Sequence, residues 1–165
     1  MKLKGELIHL EEYTREKCHD FYRKYIADTQ MTELPFAYDK QKVDHYYDSK
    51  VLDKHRVFFA IMLSGSVIGE IQLKRIDFSA GEAILSIILS DDAVKNRGYG
   101  TEAERLIIAY AADSLNLRTI YADAVSSNNR SRHVLEKIGF VHLEDRNSMS
   151  FYKLELSKPQ REEIL

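Results

Sequence analysis

The sequence of 165 residues predicts an α/β fold built on a mixed sheet, mostly antiparallel, with one parallel strand pair and helices on both faces. Three apolar runs between residues 56 and 90 are separated by the short turn segments 64–66 and 79–81, a pattern typical of an antiparallel meander. A single amphipathic helix then separates two strands, and such a unit places its two strands parallel. No repeat or linker interrupts the chain, so we expect one domain over residues 1–165.

The N-terminal elements follow from apolar spacing and local start signals. Thr14 is a helix N-cap candidate, and apolar residues after it recur at spacings of three and four. The same spacing recurs after residue 39, whereas the stretch between the two helices has no clear period. We therefore expect a strand at 6–11, helices at 14–27 and 39–52, and a loop at 28–38.

The C-terminal elements are read in the same way. Gly139 is the expected residue just after the last helix. The predicted strands are 56–63, 67–73, 82–90, 119–125, 140–143 and 148–156, and the predicted helices are 101–114 and 129–138.

Composition excludes several classes of protein. A hydrophobic fraction of 44%, a charged fraction of 30% and a net charge of −2 indicate a soluble globular domain. Lys and Arg are not clustered, so we expect no nucleic-acid partner. The N-terminus has no continuous apolar region and no stretch is long enough to span a membrane, which favours a cytoplasmic protein. Cys18 is the only cysteine, so no internal disulfide can form.

Residues 95–101, Lys-Asn-Arg-Gly-Tyr-Gly-Thr, join a predicted strand to a predicted helix and indicate a phosphate site. Gly98 and Gly100 permit a sharp turn and remove Cβ atoms where an anion would approach the backbone. The first amides of the helix have no intrahelical acceptor, and the helix dipole favours a pyrophosphate there. Arg97 adds a positive charge.

Two nucleotide-binding motifs compete for this segment. A Walker P-loop is excluded because Gly100 is followed by Thr101 and Glu102. The dinucleotide-binding fingerprint fits residues 98–103, and Asp123 lies where a ribose-binding acid would be expected. That motif, however, lies past the middle of the chain, and few residues follow Asp123. A nucleotide-dependent oxidoreductase therefore remains only as an alternative.

Two segments together resemble the GCN5-related N-acetyltransferase (GNAT) family, in its branch of ribosomal-protein and spermidine acetyltransferases. Residues 86–103, SIILSDDAVKNRGYGTEA, are similar to the family's motif A. Residues 128–140, NNRSRHVLEKIGF, are similar without gaps to its second signature. The resemblance implies the GNAT fold and direct transfer of an acetyl group from acetyl-CoA to a primary amine, either a small amine or a peptide N-terminus.

The resemblance also implies the residues that hold coenzyme A. The pantetheine arm would pair like an added strand with Ile88, Leu89 and Ser90, whose backbone groups would also polarise the thioester carbonyl. Lys95 stands where the family usually has Gln or Arg. The full set of implied cofactor-binding residues is Ile88, Leu89, Ser90, Lys95, Arg97, Gly98, Tyr99, Gly100, Thr101, Asn128 and Ser131.

One departure from the family concerns the proton donor. The family's tyrosine, which is often proposed to protonate the leaving thiolate, aligns with Leu135, and leucine has no proton to donate. The thiolate would then leave unassisted or take its proton from water, or another group such as Tyr99, Tyr121 or His133 would supply it. The departure also leaves open a non-catalytic module that binds acyl-CoA.

A base must accept the proton of the amine. Glu70, on the strand beside the cofactor strand, is the first candidate, and Glu82 and Glu33 are weaker ones. The family often binds its acceptor in the region corresponding to residues 33–48, where acidic and aromatic side chains favour a cationic amine. The side chains in question are Glu33, Asp39, Asp44, Asp48, Tyr38, Tyr46 and Tyr47. No metal is expected, and the sequence leaves a homodimer open.

Overall fold

A single eight-stranded sheet lies at the centre of the protein, and the computed structural model describes residues 1–29 and 32–156. Its strands are β1 Lys2–Lys4, β2 His9–Glu12, β3 Val57–Leu63, β4 Ser66–Asp77, β5 Glu82–Leu89, β6 Thr119–Val125, β7 Val141–Arg146 and β8 Met149–Glu155. Their spatial order is β1-β2-β3-β4-β5-β6-β8-β7, and only β5 and β6 run parallel. This arrangement confirms the predicted mixed sheet with its antiparallel meander.

Four α-helices accompany the sheet: α1 Arg15–Lys24, α2 Lys40–Tyr46, α3 Tyr99–Asp113 and α4 Asn129–Ile138. A turn of π-helix, Tyr47–Val51, follows α2, and a 3₁₀ turn, Asp92–Val94, precedes α3. Three helices start with a side-chain cap, from Thr14, Asp39 and Asn128. Helix α3 starts at Gly98, which has no side chain to cap it. None of the helices in the described ranges is long and apolar enough to cross a bilayer.

Both faces of the sheet are covered, because successive side chains of a strand point to opposite faces. On β3, Phe59 and Ile61 belong to the large core that also contains Ile107 of α3. Phe58 and Met62 belong to a smaller core with α1 and α2. The two cores explain why β3 is apolar at nearly every position rather than at alternate ones.

The predicted strand at 6–11 is wrong in its bounds, since the structure has two short strands with a bend between them. The backbone amides of Glu6, Leu7 and Ile8 donate to the carboxylate of Glu102, at 2.7 to 3.2 Å. These hydrogen bonds draw the connecting segment away from the sheet and towards α3. Sequence spacing within the segment carried no sign of a partner 94 to 96 residues away.

Other helices differ from their predicted bounds by a few residues. The Thr14 N-cap is confirmed, but α1 ends at Lys24 instead of residue 27. The helix predicted at 39–52 changes to π-helix at Tyr47, and the one predicted at 101–114 begins two residues earlier. Strand β6 and helix α4 have the predicted bounds. Residues 30 and 31 of the predicted loop lie outside the described residues.

Candidate active site

A gap opens where the two parallel strands separate. The ladder between β5 and β6 ends at Leu85 and Ala122. Beyond these residues β5 stays paired with β4 as far as Leu89, while β6 stays paired with β8 as far as Val125. The inner edges of both strands are therefore free of each other beside the start of α3.

A cleft that opens to solvent, with a volume of about 660 Å³, lies at this gap. Its lining combines the end of β5 with the first turns of α3 and α4: Tyr25, Asp28, Ile87, Ile88, Leu89, Lys95, Gly100, Glu104, Asn128, Arg130, Ser131 and Val134. Six residues with a predicted cofactor role are among them, namely Ile88, Leu89, Lys95, Gly100, Asn128 and Ser131. The other five, Ser90, Arg97, Gly98, Tyr99 and Thr101, are not.

The three residues predicted to hold the pantetheine arm are not equivalent. The amide of Ser90 donates to the carbonyl of Ile68 at 2.8 Å, and its carbonyl accepts from the amide of Ile26 at 2.8 Å. In an antiparallel ladder such bonded positions alternate, so Ile88 also turns its backbone groups to β4. Leu89 lies between them, and its amide and carbonyl point to the free edge.

The turn into α3 has open backbone donors. Gly98 has a φ of 84°, in the left-handed region that favours glycine. The amide of Glu102 is bonded to the carbonyl of Gly98 at 3.0 Å, so the amides of Tyr99, Gly100 and Thr101 have no acceptor within the helix. At Gly100 a Cβ would meet side chains of β5 no closer than 3.7 Å, so the position tolerates a methyl group but faces the cleft.

The two basic side chains of this segment differ in their partners. Lys95 is largely buried, and its Nζ contacts Asp28 at 2.9 Å and Asp92 at 3.1 Å. Arg97 is exposed, and its Nε donates to the carbonyl of Ala93 at 2.8 Å. Arg130, which the sequence reading did not single out, also lines the cleft.

Asn128 and Ser131 are joined to each other at the start of α4. The side-chain oxygen of Asn128 accepts from the amide of Ser131 at 3.1 Å and so caps the helix. Asn128, rather than Ser131, therefore has the capping role. Both residues also line the cleft, so the cap holds its wall in place.

A second cavity, with a volume of about 560 Å³, lies between the separating strands. Ile87, Glu104, Asn128 and Ser131 line both spaces, so the cavity continues the cleft. Glu104 is only 5% exposed, and its Oε2 has no hydrogen-bond partner among the described residues. Burial raises the pKa of this carboxyl to about 8, and the charge of Arg105 opposes the rise.

Glu70 lies on β4 on the opposite face, within the core formed with α1 and α2. It is 1% exposed, and its Oε1 accepts from the hydroxyls of Tyr22 and Tyr46, both at 2.8 Å. Burial raises the pKa of the Glu70 carboxyl, and the hydroxyls of Tyr13, Tyr22 and Tyr46 oppose the rise. Glu70 itself lines neither the cleft nor the second cavity.

A further cavity, of about 470 Å³, adjoins the two tyrosines that donate to Glu70. It is lined by Tyr22, Phe36, Ala37, Asp39, Lys42, Val43 and Tyr46. Of the three tyrosines predicted near the acceptor, only Tyr46 lines it. Tyr38 instead bonds to His19, and Arg15 lies over the ring of Tyr47.

The acidic side chains of this region are largely engaged. Asp44 forms ion pairs with Arg15 and Lys40, and Asp48 with Arg15. Asp39 caps α2. The negative charge predicted to attract a cationic amine is therefore mostly balanced within the protein.

The weaker candidates lie away from the cleft. Glu82 begins β5, at the end opposite Leu89. Glu33 and His133 are exposed. Leu135 is buried and lines the second cavity, but Tyr99, Tyr121 and His133 line neither space. Within the described ranges, no three His, Cys, Asp or Glu side chains are grouped to hold a metal ion.

Glu104 is one of the cleft-lining residues that the sequence did not reveal. It lies one helical turn before Ile107 and Ile108, on the stripe of α3 that packs on the sheet. The available signal in the sequence was a charged residue whose neighbours at i+3 and i+4, Ile107 and Ile108, are apolar.

Comparison with known proteins identifies a family for this chain. Residues 8–141 match the profile described as acetyltransferase (GNAT) domain. The spermidine N(1)-acetyltransferase of Escherichia coli K12 is 28% identical over 94 residues, which are 57% of this chain and 50% of that protein. The aligned part thus spans about half the length of the curated relatives that the chain matches.

Solved structures share the fold. A candidate ribosomal-protein-serine acetyltransferase from Vibrio cholerae superposes with a TM-score of 0.77 at 13% identity, over 94% of this chain and 98% of that one. A dodecameric spermidine N-acetyltransferase from the same organism gives a TM-score of 0.72 at 17% identity, over 92% and 95% of the two chains. With the profile match covering most of its length, the chain belongs to the GNAT acetyltransferase family.

Proposed function

We propose that this protein transfers an acetyl group from acetyl-CoA to a primary amine, by direct attack of the amine on the thioester. The observation that carries the proposal is the cleft between β5 and β6, which joins a free strand edge to an uncapped helix N-terminus. Family membership and the spermidine acetyltransferase relative support the same activity.

The cleft and the turn beside it fit two parts of coenzyme A, the pyrophosphate and the pantetheine arm. The amides of Tyr99, Gly100 and Thr101 would bind the pyrophosphate, because they have no acceptor within the helix and lie at the positive end of the α3 dipole. The free edge of β5 would bind the pantetheine amides as a strand does. The mainly apolar floor of the cleft, from Ile87 to Leu89, suits the methylene groups of the arm.

Leu89 would also activate the thioester. Its amide points to the free edge of β5 and would donate to the thioester carbonyl as negative charge develops on that oxygen. Fixed backbone donors of this kind need no reorganisation during the reaction, and each contributes about 3 kcal/mol in enzymes where one has been removed. Ile88 and Ser90 would position this strand through their bonds to β4 and to Ile26.

Glu70 would act as the base through the tyrosines that contact it. Tyr22 and Tyr46 line the cavity beside the sheet, and both donate to Glu70. As the nitrogen bonds to the acetyl carbon, a tyrosine hydroxyl would accept the amine proton and pass its own proton to Glu70. The carboxylate would thereby take up the proton without meeting the amine itself.

The acceptor is a primary amine whose body fits an aromatic cavity. The cavity beside Glu70 presents the rings of Tyr22, Phe36 and Tyr46, and an ammonium group is attracted to such rings. Spermidine is the first amine to test, because it is the substrate named for the Escherichia coli relative. Short peptides with a free N-terminus are the second class, because their ammonium group would meet the same rings.

The test has two stages. Calorimetry with acetyl-CoA and with NAD measures cofactor choice, and we expect binding of acetyl-CoA alone. Release of free thiol from acetyl-CoA is then followed with a panel of polyamines, amino sugars, amino acids and peptides. Tight binding with no turnover on any amine would favour a non-catalytic acyl-CoA-binding module. Binding of NAD instead would favour the nucleotide-dependent oxidoreductase.

Assembly is a separate expectation. The Vibrio cholerae spermidine acetyltransferase of like fold is dodecameric, and we infer that this chain also self-associates, at least to a homodimer. Sedimentation equilibrium measures the mass directly. A monomer at micromolar concentration would contradict the inference.

A further inference from the structure

Glu104 is a buried carboxyl group without a structural task. It lies in the second turn of α3, between the cofactor cleft and the second cavity, and Oε2 has no hydrogen-bond partner in the described part of the chain. Within that part, no side chain forms an ion pair with it, and the neighbouring Arg105 is exposed. A leucine here would continue the apolar stripe of Ala103, Ile107 and Ile108.

A carboxyl group kept in such a place destabilises the fold, because burial removes its water and nothing replaces the lost hydrogen bonds. Unpartnered buried polar groups are rare in proteins, and where they line a cleft they point to a ligand or a reaction. The space that Glu104 faces is the one in which the thioester end of acetyl-CoA would lie, beside Ile87 and Leu89.

We propose that Glu104 protonates the coenzyme A thiolate as it leaves, an inference that rests on the proposed acetyl transfer. When the amine nitrogen bonds to the acetyl carbon, the carbon–sulfur bond breaks and its electron pair stays on sulfur. The proton on the Glu104 carboxyl moves to that sulfur and leaves a carboxylate. The amine proton goes to Glu70 through a tyrosine hydroxyl, and proton exchange with solvent on each face of the sheet restores the two carboxyl groups.

The surroundings of Glu104 agree with this role. Burial raises its pKa to about 8, so the carboxyl keeps its proton at neutral pH, when a thiolate would need one. Leu135, which lines the same second cavity, has no proton to give. Other titratable groups lining the two spaces are Tyr25, Asp28, Lys95, Arg130 and Asp123, and on its own helix Arg105 lies next to it. Lys95 and Asp28 form an ion pair.

Replacement of the acid tests the proposal. Glu104→Gln keeps the size without a proton to give, Glu104→Leu completes the apolar stripe, and Asp113→Asn changes an exposed carboxylate of the same helix as the control. With the amine that the wild type acetylates fastest, kcat of both Glu104 variants should fall about 100-fold or more, the usual contribution of a general acid. The Kd of the Glu104→Gln variant for acetyl-CoA, measured by calorimetry, should stay within about 3-fold of the wild-type value. Glutamine keeps the size of the side chain, so it removes the proton needed for catalysis and leaves the binding contacts in place.

The pH dependence separates an acid from a packing residue. Wild-type kcat should decline above about pH 8, as Glu104 loses its proton, and the Glu104→Gln variant should lose that decline. A folded Glu104→Gln variant with wild-type kcat, or with the same decline, would overturn the proposal. Loss of acetyl-CoA binding with unchanged kcat would overturn it too, in favour of a cofactor contact.

Infrared difference spectroscopy tests Glu104 without any acceptor. A protonated-carboxyl band present in the wild type and absent from Glu104→Gln identifies the group at pH 7. The band should shift when acetyl-CoA is added, because the acid then donates to the thioester sulfur. A band that does not move refutes the assignment. A moving band in a protein that acetylates no amine would instead refute the proposed acetyl transfer.

Discussion

Replacing Glu104 with glutamine should make the protein more stable, and the gain should grow as the pH rises from 5 to 8. Burial raises the pKa of Glu104 to about 8 from an ordinary 4.5. Between these values the unfolded chain releases the proton while the folded chain keeps it, so folding takes up a proton and stability falls as pH rises. The loss is about 1.4 kcal/mol per pH unit, which amounts to about 3 kcal/mol at pH 7.

Glutamine stays neutral at every pH and fills the same space, so it removes this loss. Urea unfolding, followed by far-ultraviolet circular dichroism at pH 5, 6, 7 and 8, gives the free energy of unfolding of wild type and variant. The two should differ by less than about 1 kcal/mol at pH 5 and by about 3 kcal/mol at pH 7. Asp113→Asn should follow the wild type. A difference that stays constant within about 0.5 kcal/mol from pH 5 to pH 8 would refute a buried, neutral Glu104.

Three further changes test other parts of the site. Gly100→Asp should weaken acetyl-CoA binding at least about 100-fold in calorimetry, through bulk and like charge, while Gly100→Ala should retain binding in a folded protein. Unchanged affinity in the aspartate variant would disprove the pyrophosphate assignment. Glu102→Ala should lower the free energy of unfolding by about 2 kcal/mol, because three backbone amides lose a charged acceptor, whereas Glu6→Ala should change it little; equal effects would contradict the anchoring role. Tyr46→Phe removes a hydroxyl that lowers the pKa of Glu70, so the acidic limb of kcat/KM should move to higher pH, and an unmoved limb would exclude Glu70 as the base.

The backbone features around the candidate site were predictable from sequence where local chemistry determines them. The turn at Gly98 needs a left-handed backbone, and the open amides after it follow from a helix without a side-chain cap. The parallel pair followed from one helix lying between two strands. The turn and its open amides depend on residues within a few positions of one another, so the motif at 95–101 predicts them by itself.

The parts that sequence did not reveal depend on distant contacts. The bend at residues 6–8 is made by hydrogen bonds to the Glu102 carboxylate, which lies 94 to 96 residues away in sequence. Arg15 and Lys40 balance the negative charge of the predicted acidic cluster through ion pairs with Asp44. Sequence spacing alone does not predict these ion pairs. The burial of Glu104 follows from how α3 packs over the gap, and helical periodicity predicts the helix without showing which position faces a cavity.

Glu70 and Glu104 show how one residue type could take two roles through its surroundings. Both carboxyls are buried, and burial raises both pKa values, but they lie on opposite faces of the sheet. Glu70 meets tyrosine hydroxyls that donate to its oxygen and favour the charged form, as a base requires. The Oε2 of Glu104 has no hydrogen-bond donor among the described residues, so only the charge of Arg105 opposes the effect of burial on its pKa. Glu70 is paired with Ile88 of β5, and Glu104 lines the cleft together with Ile87 and Leu89 of the same strand. A proton entering at the tyrosines and another leaving at the sulfur would therefore use separate routes, one on each side of the strand that holds the thioester.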